Sequence, residues 1–305
     1  MKVPVLVGPT AAGKTAVVTA LAALADIEII SADSRQVYRG LDVGTAKPTA
    51  AERASVPYHG LDRVPVTERY SAGRFAREAE AWIAGTKERG RLPVVAGGTG
   101  FYLRALFEGL FEEPAMDAER RERLRAHLTA MDRGDLERWA YRLDPGFKGG
   151  GAQRAARAVE IAILAGRSLS VLQREPRGTA ARTTPWYARI VLPRNVLTAR
   201  IAARAEAMVR IGIIEETERL LAEGVPVSAP GLSGVGYPEV IAVLEGRLPR
   251  EALAGAIAAA TRRYAKRQET WFRHQLRLPV LDLDGTRPAP ALAETLLAAY
   301  RAATP

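Results

Sequence analysis

The sequence predicts an α/β protein with a parallel β-sheet core flanked by helices and an inserted all-helical domain. In residues 1–111, short apolar runs alternate with helix-like segments, which is the pattern of βαβ units. Between residues 112 and 187 this alternation stops and charged helical sequence takes its place. We therefore assign 1–111 and 188–305 to the core, where strand-like runs occur, and 112–187 to the helical insertion.

The core elements follow one another in a regular order. Residues 3–7 form an apolar run typical of a buried first strand, and residues 16–25 form an alanine-rich helix behind a glycine-containing loop. Residues 74–89 place their apolar side chains on one helical face. Further strands are predicted at 27–31, 93–96, 188–192 and 279–283, and a last helix near 290–302.

The inserted segment has a different character. Residues 117–143 are highly charged and helical in pattern, and residues 152–165 are helical again. The run Gly149-Gly150-Gly151 breaks the chain between these two stretches. No strand is evident in this part of the sequence, so we interpret it as a helical domain inserted into the α/β core.

Composition excludes several classes of function. The chain has 305 residues, 48% of them hydrophobic, which is ample for a large core. It has no cysteine, which excludes disulfides, thiolate zinc sites and a cysteine nucleophile, and its three histidines lie far apart. No apolar run reaches the roughly 18 residues of a membrane span, and a glycine comes too early for a signal peptide. We expect a cytoplasmic, monomeric enzyme without membrane association.

The formal net charge of +10 is concentrated in two segments. Residues 148–210 hold twelve Arg or Lys against three acids, a net of +9, and residues 262–277 hold six against one, a net of +5. Two basic segments on a mildly acidic remainder indicate a surface for a polyanion such as nucleic acid. A genome that favours arginine, with 38 Arg and 6 Lys in this chain, is the alternative explanation.

The most specific motif is Gly8-Pro9-Thr10-Ala11-Ala12-Gly13-Lys14-Thr15, which matches the P-loop pattern G-x-x-x-x-G-K-[ST]. A predicted strand precedes it and a predicted helix follows it. In such a loop backbone N–H groups surround phosphate oxygens, the lysine adds a positive charge, and the threonine is a Mg²⁺ ligand. The motif predicts phosphate binding and leaves open whether the phosphates belong to a nucleotide or to another diphosphate.

Two further motifs follow strands of the same sheet. Asp33 lies in Ser31-Ala32-Asp33-Ser34-Arg35-Gln36, after the second strand, where it is expected near the phosphates as a Mg²⁺ partner or general base. A helix N-cap is the alternative role. Thr99 lies in Gly97-Gly98-Thr99-Gly100, after the next strand, and is placed to donate to a leaving oxygen. A tight strand–helix turn is the alternative there.

Two pairs of arginines share a helical face. Arg263 and Arg267 lie in residues 261–273, where basic and aromatic residues alternate, as suits phosphate contact together with base stacking. A solvated face with its aromatic residues in the core is the alternative. Arg200 and Arg204 are also four residues apart and are placed to reach one diphosphate together.

Together these motifs resemble the tRNA dimethylallyltransferase, or tRNA isopentenyltransferase, family in its bacterial form. The resemblance runs from the first strand to about residue 277. It is carried, in order, by GPTAAGKT at 8–15, DSRQVYRGLDVGTAKP at 33–48, GGTGFYLRAL at 97–106, QRAARAVEI at 153–161, VGYPE at 235–239 and TRRYAKRQETWFR at 261–273. It implies a P-loop NTPase-like core, Mg²⁺, and transfer of a dimethylallyl group from dimethylallyl diphosphate to N6 of adenosine 37, beside the tRNA anticodon.

The resemblance also implies roles for single residues. Residues 8–15 would hold the diphosphate, with Thr15 as the metal ligand, and Arg204, together with Arg200, would neutralise its charge. Asp33 would be the general base on the N6 amine, and Thr99 would hydrogen-bond the bridging oxygen. The residues expected to contact the anticodon stem-loop, from the resemblance and from the basic helix, are Asp33, Ser34, Arg35, Gln36, Thr99, Arg121, Gln153, Arg154, Ala155, Ala156, Arg157, Ser233, Gly234, Val235, Gly236, Tyr237, Pro238, Arg263 and Arg267.

Three other functions stay open at this point. An adenylate isopentenyltransferase would use a free nucleotide as acceptor, but such enzymes lack most of the insertion. A small-molecule P-loop kinase would transfer phosphate from ATP, and the Gly-Gly-Thr strand end and the two basic segments argue against it. In a nucleic-acid-binding module with a merely structural P-loop, Asp33 and Thr99 would be dispensable.

Overall fold

The computed structural model describes residues 2–111, 114–175, 183–276 and 279–304. The chain forms two compact units, Met1–Phe107 with Ala181–Pro305, and Glu108–Ala180. Three arginines of the two basic segments, Arg177, Arg182 and Arg277, lie outside the described residues. Among the described residues, no helix has both the length and the apolar character needed to span a membrane.

The first unit is built on one parallel sheet. Its strands are β1 (Val3–Val7), β2 (Ile27–Ser31), β3 (Tyr58–His59), β4 (Leu92–Gly97), β5 (Pro185–Val191) and β6 (Val280–Asp284). They lie in the order β3-β2-β4-β1-β5-β6, and every neighbouring pair is parallel. Every residue of β1 and β2 is buried, as expected when helices cover both faces of a sheet. The predicted α/β class with a parallel, helix-flanked core is confirmed.

Helices connect and cover the strands. Those of the first unit are α1 (Lys14–Ala22), α2 (Ala50–Ser55), α3 (Ala72–Glu88), α4 (Gly100–Glu108), and, after the second unit, α9 (Arg194–Ile211), α10 (Ile213–Ala222), α11 (Tyr237–Leu244), α12 (Leu253–Gln275) and α13 (Ala289–Ala303). Short 3₁₀ turns occur at Gly231–Ser233 and Arg250–Ala252. The helices predicted at 16–25, 74–89 and 290–302 correspond to α1, α3 and α13.

Two strands differ from the prediction. β5 begins at Pro185, not at residue 188, because its ladder with β1 extends back to the pair Val3–Pro185. A proline is tolerated at the first residue of a strand, where its missing N–H costs no ladder bond. β3 was not predicted, since its two residues, Tyr58 and His59, are too few to show any periodicity.

The second unit contains the helices α5 (Ala118–Ala130), α6 (Arg133–Leu143), α7 (Ala152–Ala165) and α8 (Leu169–Leu172). Its described residues, 108–111 and 114–175, include no strand. A small core joins the helices through Leu128, Leu136, Ala140, Ala155, Ala158 and Val159. The stretch predicted as helical over 117–143 is two helices: α5 ends at Ala130, and Asp132 caps α6 by accepting the Gly134 N–H.

Candidate active site

Three loops meet at the carboxyl edge of the sheet. β1, β2 and β4 are neighbours in the sheet and run in the same direction, so the segments that follow them lie side by side. These segments are the P-loop at 8–15, the turn around Asp33, and the glycine-rich turn around Thr99. Ligands of open α/β sheets bind at this edge.

The P-loop wraps around its own lysine. Lys14 begins α1, and its ammonium group donates to the carbonyl oxygens of Gly8 and Pro9, both at 2.8 Å. Gly13 takes a left-handed φ of 94°, and Ala11 takes φ 64° without being glycine. Such strain is commonly stored at ligand-binding sites. Burial lowers the pKa of Lys14 to about 8, although the nearby Asp33 carboxylate opposes this shift. A bound anion would restore the charged form.

The turn after β2 is tied to the turn after β4. Thr99 Oγ1 accepts a hydrogen bond from the Ser34 N–H at 3.0 Å, and the Thr99 N–H donates to the Ala32 carbonyl at 3.1 Å. Asp33 Oδ1 accepts the Arg35 N–H at 2.8 Å. No helix begins at Asp33 in the described segment 32–48, so the N-cap alternative is wrong and the side chain holds a turn instead.

The glycines at the end of β4 and in the turn after it are required by close packing. A Cβ on Gly97 would lie 2.2 Å from the Ala32 carbonyl oxygen, and one on Gly98 would lie 2.2 Å from the Gln268 amide nitrogen. A Cβ on Gly100 would meet the Trp271 ring at 2.2 Å. The tight-turn interpretation therefore holds for the glycines, and it is compatible with a binding role for Thr99 in the same turn.

Gln268, on α12, joins two of these loops and was missed from the sequence. Its Oε1 accepts the Thr10 N–H of the P-loop at 2.8 Å, and its Nε2 donates to the Gly98 carbonyl at 2.9 Å. The side chain is buried, at 6% exposure. Because both ends of the amide are used, only a residue with one donor and one acceptor at this reach keeps both loops in place.

A cavity of about 170 Å³ opens beside these loops. Asp33, Arg204 and Tyr264 are among its polar groups, and an apolar wall is formed by Ile201, Ala205, Met208, Val235 and Ile257. A polar end beside an apolar wall suits a ligand with a charged head and a hydrocarbon tail. Tyr264 was also missed from the sequence. Burial beside Asp33 raises the pKa of its hydroxyl to about 12, so the group stays protonated.

Arg200 and Arg204 have different surroundings on α9. Arg204 lines the cavity, and its guanidinium reaches the Thr45 carbonyl only at 3.5 Å. Burial lowers the pKa of Arg204, and the Asp33 carboxylate opposes this shift. Arg200 instead donates to the backbone, to Ala12 O at 3.4 Å and Gly285 O at 2.9 Å. Arg204 is therefore placed to meet a ligand, whereas Arg200 supports the P-loop backbone.

The tRNA contacts expected on the first unit fall into two groups. Ser233, Gly234, Val235 and Arg35 line the cavity, and Arg35 donates to Ser233 Oγ at 3.0 Å. Tyr237 is fully buried, and its hydroxyl donates to the Glu216 carboxylate at 2.8 Å. Gly236 and Pro238 flank it at the start of α11, where the Gly236 N–H donates to Glu239 at 2.9 Å. Tyr237 therefore holds the fold with its side chain, and its contact with tRNA stays a prediction.

The remaining predicted tRNA contacts of the first unit are Gln36 and two arginines on the exposed face of α12. Gln36 accepts from Ser31 Oγ at 2.9 Å and donates to the Thr45 and Ala46 carbonyls at 3.3 Å. Arg263 and Arg267 are exposed and line a groove of about 620 Å³ with Lys266, Trp271 and His274. Arg267 lines both this groove and the cavity described above. Its guanidinium lies 5.6 Å from the centre of the Tyr264 ring.

The expected contacts of the second unit lie close to one another. Gln153 and Arg154 are exposed at the start of α7, and Ala156 and Arg157 are half-buried. Ala155 is buried in the core of this unit. The preceding glycines Gly149, Gly150 and Gly151 all take left-handed φ values, and the Arg154 side chain lies where a Cβ on Gly150 would stand. Arg121 and Arg157 both bind the Glu160 carboxylate.

Comparisons with known proteins give one consistent result. The family model described as IPP transferase matches residues 36–275. A tRNA dimethylallyltransferase from Anaeromyxobacter sp. (strain Fw109-5) is 44% identical over 278 residues, which cover 89% of this chain and 91% of the relative. A tRNA dimethylallyltransferase from Halorhodospira halophila is 42% identical over 283 residues, covering 90% and 91%. The crystal structure of a tRNA isopentenylpyrophosphate transferase from Bacillus halodurans is 32% identical, with a TM-score of 0.72 over 98% of this chain and 96% of that one.

Proposed function

The chain belongs to the IPP transferase family, and from this premise we propose that it transfers a dimethylallyl group from dimethylallyl diphosphate to N6 of adenosine 37 in tRNA. The observation that carries the proposal is one cavity that unites Asp33 and Arg204 with the edge of a P-loop and an apolar wall. It offers a phosphate site, a base and room for a hydrocarbon in one place.

For the prenyl donor, we propose that the protein acts by stabilising the negative charge of the leaving diphosphate. Breaking the bond between the allylic carbon and the bridging oxygen leaves the electron pair on the diphosphate. Its growing charge is best met by fixed donors, which here are the P-loop amides, Lys14 and Arg204. The Thr99 hydroxyl accepts the Ser34 N–H at 3.0 Å and donates to Ser34 Oγ at 3.3 Å. We propose that it exchanges this longer contact for the bridging oxygen when the diphosphate is bound.

The acceptor side requires loss of one proton. The N6 amine forms a bond to the allylic carbon and gives its proton to a base, for which we propose the Asp33 carboxylate. Asp33 lines the cavity, and its Oδ1 is fixed by the Arg35 N–H, which orients the carboxylate. An adenine stacked in the anticodon loop is out of reach, so the base must be extruded into the cavity.

We propose Mg²⁺ as the cofactor. A small cavity of about 40 Å³ is lined by Lys14 and by three residues with side-chain oxygens, Thr15, Ser31 and Asp33. Such oxygens are the hard donors that Mg²⁺ prefers. Among the described residues there is no group of three or more His, Asp or Glu that could hold a metal alone. Substrate oxygens would therefore complete the ligand set, and the ion would neutralise charge on the leaving diphosphate.

The basic surfaces support a tRNA acceptor. We propose that the α12 groove with Arg263 and Arg267, and separately the second unit with Arg121, Arg154 and Arg157, contact the backbone of the anticodon stem-loop. A free nucleotide would need neither surface. A tRNA acceptor also fits our expectation of a cytoplasmic enzyme, which we propose acts as a monomer.

The experiment that tests this function uses radiolabelled dimethylallyl diphosphate with Mg²⁺, and offers tRNA and AMP as separate acceptors. The proposal predicts label in tRNA and none in AMP. Label in AMP alone would assign an adenylate isopentenyltransferase and leave the basic surfaces without a role. ATP consumption with a small-molecule acceptor, without label transfer, would restore the kinase interpretation.

A further inference from the structure

One buried carboxylate holds a loop at the wall of the cavity. Glu216, on α10, is 9% exposed, and its Oε2 accepts the Asp42 N–H at 2.6 Å and the Val43 N–H at 2.8 Å. Its Oε1 accepts the Gly44 N–H at 3.1 Å and the Tyr237 hydroxyl at 2.8 Å. Three successive backbone groups and one side chain therefore donate to this single carboxylate.

Tyr237 holds the same loop by packing against it. A Cβ on Gly44 would lie 2.5 Å from Cζ and 2.6 Å from the hydroxyl oxygen of Tyr237, so the loop can approach the ring this closely only with glycine. Burial and the Glu216 carboxylate raise the pKa of Tyr237, so its hydroxyl stays protonated and donates. Two sequence motifs, at 33–48 and 235–239, therefore meet at Glu216, which belongs to neither.

The loop held by Glu216 leads directly to Arg204. The Thr45 carbonyl accepts from Arg204 Nη2 at 3.5 Å, and among the residues that the structure describes Arg204 donates no other hydrogen bond. Gly44, Thr45 and Arg204 all line the cavity. Ala46 takes a left-handed φ of 44° without being glycine, a conformation that persists only where the surroundings hold it. The position of the loop therefore determines where the Arg204 guanidinium lies.

Residues 41–48 belong to no helix or strand, so their own side chains and neighbours must hold them. Lys47 ties the end of the segment back to the Asp42 carboxylate at 2.7 Å. The N–H groups of residues 42–44 instead have Glu216 as their acceptor. Buried N–H groups without an acceptor are costly, so loss of the carboxylate should displace this part of the loop.

We propose that Glu216 is a positioning residue that acts through residues 42–45 to keep the Arg204 guanidinium directed at the diphosphate of the prenyl donor. Glu216 is not among the residues that line the cavity, so it acts through the loop and not by contact. A guanidinium placed before binding loses less rotamer freedom when it meets the diphosphate. The inference rests on the proposed function, in which Arg204 meets that diphosphate.

The sign of one mutational effect separates this proposal from simple electrostatics. Glu216→Gln removes a negative charge near the cavity, so if only charge matters, diphosphate should bind more tightly. The amide has one acceptor oxygen instead of two, however, and its NH₂ group would face backbone N–H groups. We therefore expect Kd for inorganic diphosphate, measured by calorimetric titration with Mg²⁺, to rise about tenfold, the loss of roughly one charge-assisted contact.

A matched control is Glu218→Gln, which makes the same charge change at an exposed residue of the same helix. Its Kd for inorganic diphosphate should be unchanged or slightly lower. A loss of affinity equal to that of Glu216→Gln would show that the charge of α10, and not the position of the loop, determines diphosphate binding.

A double-mutant cycle with Arg204→Ala tests whether Glu216 acts through that arginine. Arg204→Ala alone should weaken diphosphate binding, and Glu216→Gln added to it should cause little further loss. A general loosening of the fold would instead weaken binding by a similar factor in both backgrounds. The non-additive result is therefore one that a merely structural role of Glu216 would not produce.

Equal or tighter diphosphate binding by Glu216→Gln, or a similar loss in both backgrounds, would overturn the proposal. If Glu216→Gln does not fold, as judged by its circular dichroism and melting transition, Glu216→Asp takes its place in the cycle. That variant keeps the charge but shortens the reach by one methylene, and wild-type affinity would then overturn the proposal. Failure of the wild-type protein to prenylate tRNA would instead overturn the proposed function, while diphosphate binding would still report on Glu216.

Discussion

At the residue scale, the proposed reaction depends on Asp33, Lys14 and Gln268, which lie in or contact the loops at the carboxyl edge of the sheet. Asp33 lines the cavity, and the Arg35 N–H fixes its carboxylate. Lys14 is enclosed by its own loop, and Gln268 reaches that loop from a helix 258 residues further along the chain. Each residue therefore supports a different prediction.

Asp33→Asn should lower kcat by about 10² to 10⁴, since an amide cannot take the N6 proton. The substitution keeps an oxygen that can accept the Arg35 N–H, so the turn should persist and tRNA affinity should change little. Single-turnover transfer and tRNA binding measure the two effects separately. Turnover near the wild-type rate would remove Asp33 from the role of base.

Because of Lys14, the affinity of the protein for dimethylallyl diphosphate should depend on pH. The pKa of Lys14 is lowered to about 8, so the free protein loses this positive charge as the pH rises from 7 to 9. Diphosphate binding favours the protonated lysine, hence Kd for dimethylallyl diphosphate should increase over this range, by up to about tenfold per pH unit above the pKa. Calorimetric titration at several pH values checks this, and Lys14→Met should bind weakly with no such dependence.

Gln268→Glu should lower kcat/KM for dimethylallyl diphosphate by about 10². The carboxylate still accepts the Thr10 N–H, but it cannot donate to the Gly98 carbonyl, and it places a buried negative charge beside the diphosphate site. The same substitution at Gln275, about two turns along α12, should have little effect. Similar kinetics for the two variants would show that Gln268 is not needed to join the loops.

At the scale of elements, α12 serves both the cavity and an outer surface. Gln268, Ala265 and Phe272 are buried on one side, while Arg263 and Arg267 are exposed on another. The helix therefore links loop positions at the cavity to a basic groove outside it.

Reversing the charge of that groove, with Arg263→Glu and Arg267→Glu together, should weaken tRNA binding and reduce its salt dependence by about two units of slope. The charge change repels the tRNA backbone. Arg287→Glu with Arg301→Glu makes the same change at exposed positions before and within α13. Unchanged affinity and slope in the α12 variant would return that helix to a purely structural role.

Local sequence patterns predict some of these elements and site residues but not others. Strands β1, β2 and β4 and the P-loop were predictable, because apolar runs and a glycine motif are local signals. Gln268 and Tyr264 were not, since their importance arises from contacts with loops far away in the chain. Glu216 had no sequence signal of its own, because its partners in residues 42–44 and at Tyr237 meet it only in the folded chain.

At the scale of the whole molecule, the order β3-β2-β4-β1-β5-β6 determines where the chemistry occurs. Placing β1 next to β4, and β4 next to β2, brings the P-loop, Thr99 and Asp33 to one edge. The second unit has its own core and its own basic cluster. The family of the chain, tRNA-modifying relatives at 44% and 42% identity, and this arrangement agree on one reaction.

The most direct measurement is nucleoside analysis by mass spectrometry of two tRNA transcripts that differ only at position 37, adenosine in one and guanosine in the other. Each is incubated with the full-length protein, dimethylallyl diphosphate and Mg²⁺. We expect N6-(dimethylallyl)adenosine in the digest of the first transcript and no prenylated nucleoside in the second. Prenylation of both transcripts, or of neither, would contradict this expectation.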